Sequence, residues 1–151
     1  MSSFLNLNGL QSATRPAFEV TGHRNDVQNS RMFGTDYGFT MVTRFNQGSH
    51  FSTTTGRFTA PATGRYFFAF GIRFDSLPSF TYLHCGLETS NRTRNTVWIS
   101  QSLNRSYESG SYSTITDMDA NDTAEVNSYF SSGGNTTDMS PESTFAGCLM
   151  C

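Results

Sequence analysis

Residues 51–70 read FSTTTGRFTAPATGRYFFAF. The first two-thirds is small and polar, built from Thr, Gly, Ala and one Pro, and then rings arrive together as Tyr66, Phe67, Phe68 and Phe70. Side chains of a β-strand alternate between its faces, so Tyr66, Phe68 and Phe70 share one side and Phe67 stands on the other. A half-buried strand needs rings on one face only. Rings on both faces predict burial on both. In a small domain of two packed sheets, the outward face of a sheet is covered only by another chain. Phe67 therefore predicts an oligomer.

The rest of the chain carries the same β character. Short runs rich in β-branched and aromatic residues follow one another at 17–21, 37–45, 65–74, 80–88, 94–100, 111–116, 123–130 and 143–151. Turn-forming clusters separate them: Asn46-Gln47-Gly48, Asp75-Ser76-Leu77-Pro78, Ser109-Gly110 and Ser132-Gly133-Gly134-Asn135. Two runs alternate cleanly. Leu83, Cys85 and Leu87 share one face against Tyr82, His84 and Gly86, and Ala124, Val126 and Phe130 oppose Glu125, Asn127 and Tyr129. Tyr129, on the face away from the core, joins Phe67 as an expected interface residue. No long stretch repeats apolar residues at helical spacing. The expectation is an all-β sandwich or barrel, one domain over 16–151 preceded by an extended arm over 1–15.

Composition narrows the function classes. A chain of 151 residues is long enough for one buried core. Net charge is −2 with 15% charged residues, so no basic field exists to draw nucleic acid. All ten basic residues are Arg, which removes Schiff-base lysine chemistry and a P-loop lysine. Ser and Thr together number 40, so the four Asn-x-Ser/Thr sequons, at Asn91, Asn104, Asn121 and Asn135, are about what chance supplies. Cys85, Cys148 and Cys151 form no even framework; the Cys148–Cys151 pair has CxxC spacing with no helix after it to lower a thiol pKa. No basic-then-apolar leader and no membrane-spanning run is visible, so synthesis in a cytoplasm is expected.

The spacing of the opening stretch then becomes specific. Asn46, Phe51, Phe58 and Gly64 are separated by four, six and five residues, and Gly64, Tyr66, Phe68 and Phe70 form Gly-x-Tyr-x-Phe-x-Phe. This resembles the C1q globular-domain family. One anchor departs: an aromatic expected six residues before Asn46 is Thr40, flanked by Phe39 and Met41. Residues 118–126 are similar to a family strand entry with Asn121 where Gly is usual, and Asn tolerates a left-handed turn position. The closing strand, with Phe145 and Gly147, and Arg15–Val20 near the start complete the likeness. The resemblance implies a ten-stranded, C1q/TNF-like jelly roll assembling as a tight homotrimer, chain ends together at its base. Phe51, Phe58, Gly64, Tyr66, Phe68, Phe70, Phe145 and Gly147 are its core anchors.

No catalytic constellation is legible. There is no GxSxG elbow, His23, His50 and His84 lack metal-ligand spacing, and no carboxylate pair stands in a recognisable context. No cofactor is expected. Asp117, Asp119 and Asp122, with Asn121, are a weak calcium candidate, without EF-hand spacing, against the simpler reading of an acidic turn. Arg92 and Arg94, with Arg105 nearby, read as a solvated strand face before they read as a contact for an acidic partner or glycan. With no Gly-X-Y repeat in the chain, the expectation is a non-enzymatic bacteriophage virion protein. It would decorate a capsid as a cement protein and bind the major capsid protein through its arm. Alternatives are the receptor- or glycan-binding head of a fibre, and a secreted C1q-like recognition protein. No membrane or nucleic-acid partner is expected.

Overall fold

Alternation of apolar and polar side chains decides which way each strand faces. The computed structural model describes residues 15–77, 82–100, 106–130 and 136–150, with backbone only over 93–100. Its strands are β1 (Ala17–Val27), β2 (Ser30–Arg31), β3 (Thr40–Gln47), β4 (Phe51–Ser52), β5 (Arg57–Thr59), β6 (Gly64–Asp75), β7 (Tyr82–Thr89), β8 (Arg92–Ser100), β9 (Tyr107–Met118), β10 (Thr123–Phe130), β11 (Thr137–Met139) and β12 (Thr144–Leu149). A 3-10 turn, Thr35–Tyr37, closes on Gly38 at φ 77°. The first sheet runs β11-β1-β12-β6-β9 with β3 added on β1; the second runs β4-β5-β10-β7-β8 with β2 on β10. Most consecutive strands cross between the sheets, as in a jelly roll; β4–β5, β7–β8 and β11–β12 stay within one.

Ten strands were expected, and the described residues form twelve. The short β2 and β11 account for the difference: they are two- and three-residue pairings on β10 and on β1 and β6, too brief to leave a pattern in sequence. A second correction concerns Ser109-Gly110, which is no turn. Gly110 sits within β9 opposite Ile72, in a ladder that runs unbroken from Gly64↔Met118 to Asp75↔Tyr107. A twelve-residue partner strand holds the glycine extended, overriding its local preference. Residues 1–14 of the expected 1–15 arm, the Ser132–Asn135 cluster, Pro78, Asn104, Arg105 and Cys151 lie outside the described residues, as does the side chain of Arg94.

The core between the sheets is aromatic. Tyr66, Phe68, Phe70, Ile72 and Phe74 of β6 all point into it, together with Phe18, Phe51, Phe58 and Phe145. Phe18 stacks on Phe51 at 4.6 Å and on Phe58 at 5.3 Å, while Phe145 meets Phe18 edge-on at 5.0 Å. Each buried ring contributes roughly 2–3 kcal/mol of transfer free energy. Tyr66 buries its ring and donates its hydroxyl to the Ala62 carbonyl at 2.7 Å; burial raises its pKa. Phe39, beside the departed anchor Thr40, fills that place in the core: it is buried and stacks on Phe33, while Thr40 faces solvent.

The spacing of the anchors has local causes. The Asn46 amide donates to the Phe51 carbonyl at 2.8 Å, and the Phe51 N–H returns to Asn46 Oδ1 at 3.1 Å. The side chain thus closes the loop carrying Gly48 and Ser49, both at positive φ. Asn121 takes the left-handed conformation, φ 76°, that its place in the 118–126 segment requires. At Gly147 a Cβ would stand 2.5 Å from the Phe68 ring and 2.8 Å from that of Phe18. Only hydrogen fits there.

Candidate functional site: the outward face of the first sheet

Register fixes what this face presents. Three rows cross β9, β6, β12, β1 and β3: Ile115–Phe67–Cys148–Ala17–Gln47, Ser113–Ala69–Ala146–Glu19–Phe45, and Ser111–Gly71–Thr144–Thr21–Val42. Glu19 is the one charge in these rows. Phe67, Ile115, Phe45 and Val42 stand out from the sheet, exposed by 36%, 54%, 47% and 51%. Between them lies a strip of Ala, Gly, Ser and Thr with little relief. Ion pairs frame it at both ends of β6: Arg65 with Asp117 at 3.2 Å, and Arg73 with Asp75 at 3.0 Å and Glu142 at 2.9 Å. Exposed apolar side chains on a bed of small residues, with the ion pairs set at the rim, have the anatomy of a protein interface.

The expected interface pair is divided by the fold. Phe67 lies on this face. Tyr129 lies on β10 in the second sheet, pointing out on the far side of the molecule, so no one sheet face holds both. Its hydroxyl donates to the Glu88 carboxylate and its ring meets His84 at 4.7 Å. Around it the second sheet's outer side is a polar network. Asn127 donates to Glu88 at 2.8 Å and to Glu125 at 3.4 Å, and Glu125 pairs with Arg57 at 2.6 Å and Arg31 at 2.8 Å. Burial alone would raise the Glu125 carboxyl, but the hydrogen bond and charge of Arg57, with Arg31 beside it, hold it below its ordinary value.

The acidic turn uses its own carboxylates. Asp117 faces Arg65 and, at 3.5 Å, Arg92. Asp119 Oδ1 accepts from the Thr63 hydroxyl, and Asp122 accepts from Ser90 Oγ at 2.7 Å and the Asp119 N–H at 2.7 Å. Among the described residues no three His, Cys, Asp or Glu side chains converge on one point. The geometry is that of a turn, with side chains capping backbone donors.

A cleft of about 490 Å³ opens at the other end of the outward face, beside Asp75 rather than the chain ends. Gly71, Ser109 and Ser111 form its floor, and Arg73, Tyr107 and Glu142 its walls. The Arg73 guanidinium lies 5.1 Å from the centre of the Tyr107 ring, which is 60% exposed. Hydrogen bonds to Glu142 and then Asp75 raise the Arg73 pKa further.

Comparison with known proteins fits this geometry to a family. The C1q domain profile matches residues 17–150, nearly the whole described chain. The chain belongs to the C1q domain family. Its fold is similar to the globular domain of zebrafish complement 1qA, with a TM-score of 0.67 at 17% identity, covering 91% of this chain and 98% of that one. Murine APRIL is similar at pH 5.0 (TM-score 0.61, 10% identity) and at pH 8.0 (0.57, 13%), each covering 91% of this chain and 100% of that one. No curated protein sequence matches.

C1q-like domain proteins are characteristically non-enzymatic recognition and structural proteins, and no enzyme family is indicated for this chain. Of the eight residues expected as core anchors, the six rings Phe51, Phe58, Tyr66, Phe68, Phe70 and Phe145 are buried between the sheets and Gly147 is buried against them, whereas Gly64, half-buried, opens β6 opposite Met118. Two features of this C1q domain were not legible beforehand. The Arg73–Tyr107–Glu142 cleft joins residues from three segments, and reading Ser109-Gly110 as a turn hid the outward series Tyr107, Ser109, Ser111. The Glu125 network likewise needs β2, β5 and β10 side by side.

Proposed function

We propose that this C1q domain works as a homotrimer joined through the outward face of its first sheet, as a non-enzymatic structural module. The observation that carries this is Phe67: a ring on the middle strands of a sheet, 36% exposed, beside Ile115 and a strip of small residues, with ion pairs only at the rim. Such a surface exposed on a lone chain invites association. A closed threefold arrangement buries it without leaving a sheet free to polymerise. Phe67→Asp places a carboxylate in that contact, and light scattering then reads monomer where the parent chain reads trimer. A Phe67→Asp trimer would overturn the proposal.

The setting we favour is the surface of a virion, with the trimer on a threefold axis of a capsid and the arm over 1–15 clamping the lattice. Three arms, one from each chain of a trimer, suit that geometry, and the Ser-, Thr-, Asn- and Gly-rich composition suits an exposed decoration. Removing residues 1–14 leaves the trimer intact and abolishes binding to capsids; normal decoration by the truncated trimer would contradict it. A second reading, a receptor- or glycan-binding head, is favoured by the cleft at the end of the sheet away from the chain ends.

A further inference from the structure

We propose that the cleft between Arg73, Tyr107 and Glu142 is a binding site for a neutral saccharide. This rests on the second reading above and goes beyond it by assigning the site and the ligand class. The proposed trimer contact centres on Phe67 and Ile115, and six residues of extended chain put Arg73 about 20 Å from Phe67. The cleft thus lies at the end of that face away from Phe67, sharing Gly71 and Ser111 with the last row of its small-residue strip.

Its floor is the first indication. Gly71 lies inside the twelve-residue β6, where glycine weakens a strand. Nothing within the chain demands it: its φ is not positive, and an added Cβ would meet only Thr144 Cγ2, at an ordinary 3.7 Å. A glycine with room for a Cβ, flanked in register by Ser111, leaves the cleft floor flat for a molecule outside the chain, and the cleft walls then decide its chemistry.

The walls say what that is. Tyr107 presents a largely exposed ring with one side turned to the Arg73 guanidinium at 5.1 Å, and what stays open is a surface on which the C–H face of a pyranose stacks. Arg73 has five N–H donors in a rigid fork; Nε is held by Asp75 and Nη1 by Glu142, which fixes the plane and leaves three donors to offer. Glu142, itself 71% exposed at its side chain, supplies acceptors, and Ser109 and Ser111 supply hydroxyls that do both. Adjacent sugar hydroxyls need such paired donors and acceptors.

Charge selects among sugars. Two carboxylates surround one guanidinium, so the cleft carries a formal excess of negative charge. Sialic acid, phosphate and nucleic acid are disfavoured there, whereas a neutral polyol meets no such penalty. The volume of about 490 Å³ is within the range of small-ligand clefts.

The test is an NMR titration of the isotopically labelled chain with methyl glycosides of glucose, galactose, mannose and N-acetylglucosamine, and with N-acetylneuraminic acid. At least one neutral glycoside is expected to shift the amides of Gly71, Ser109 and Ser111. Affinity falls about tenfold in Tyr107→Ser and in Gly71→Val, with the remaining amide spectrum unchanged. Neutral sugars that leave those amides still, or bind equally well to both variants, would overturn the site. Tighter binding of N-acetylneuraminic acid at the same amides would overturn the ligand class and leave the glycan-head reading standing. A further array of extended glycans that captures nothing would remove both.

Discussion

Glu125 shows how a single residue ties the second sheet together. Its carboxylate takes Arg57 from β5 and Arg31 from β2, while Asn127 links it to Glu88. Because the folded-state pKa lies below the unfolded value, its stabilisation is complete above the ordinary glutamate range of about 4.3 and is lost as pH falls through the lowered value. Glu125→Gln should cost about 2 kcal/mol near neutral pH. Urea unfolding should show that difference shrinking below pH of about 4, where the parent loses what the variant never had. Gly147 is the second decisive residue. Its Cβ would enter the Phe68 and Phe18 rings, so Gly147→Ala should lower stability by about 2–3 kcal/mol by overpacking, measurable in the same titration. Both roles differ in legibility. Gly147 could be placed from its motif, since close packing leaves a fixed spacing in the chain. The Glu125 partners are 94 and 68 residues away in sequence, and no spacing announces them.

At the scale of elements, β6 carries most of the fold. It is the strand whose rings were readable at once, because a two-residue period survives any tertiary context. Neighbouring positions should therefore respond in opposite ways. Phe68→Ala empties a buried site against Phe18, Phe58 and Phe145 and should cost about 4 kcal/mol in unfolding free energy. Phe67→Asp should leave the monomer fold intact by circular dichroism while changing its association. Equal loss of fold in both variants would mean that Phe67 belongs to the core. What stayed hidden were elements without a period of their own. The two residues of β2 and the three of β11 owe their extended form to the strands beside them. Gly110 owes its form to Ile72 across the ladder. Tyr129 could not be placed for a related reason: alternation says that a side chain leaves the core, but only topology says through which sheet, here the second rather than that of Phe67.

Across the whole molecule, the two outer faces are built differently. Among the described residues the second sheet carries a polar network around Glu88 and Glu125 on its outer side, whereas the first leaves rings and small residues open. That asymmetry is what a trimer would resolve. Thiol chemistry offers a graded test. Burial raises the Cys85 pKa far out of reach, so Cys85 should alkylate only in denaturant. Cys148, half-buried in the row of Phe67 and Ile115, should be protected in the parent assembly and alkylate readily in Phe67→Asp, with fragment mapping to separate it from Cys151. Equal rates in the two proteins would place the contact elsewhere.

The most direct measurement is the mass of the unmodified chain by size-exclusion chromatography with light scattering at micromolar concentration. A homotrimer through the first sheet predicts three times the 16.7 kDa of one chain, persisting on dilution. A stable species of 16.7 kDa, with Phe67 open to solvent, would contradict it.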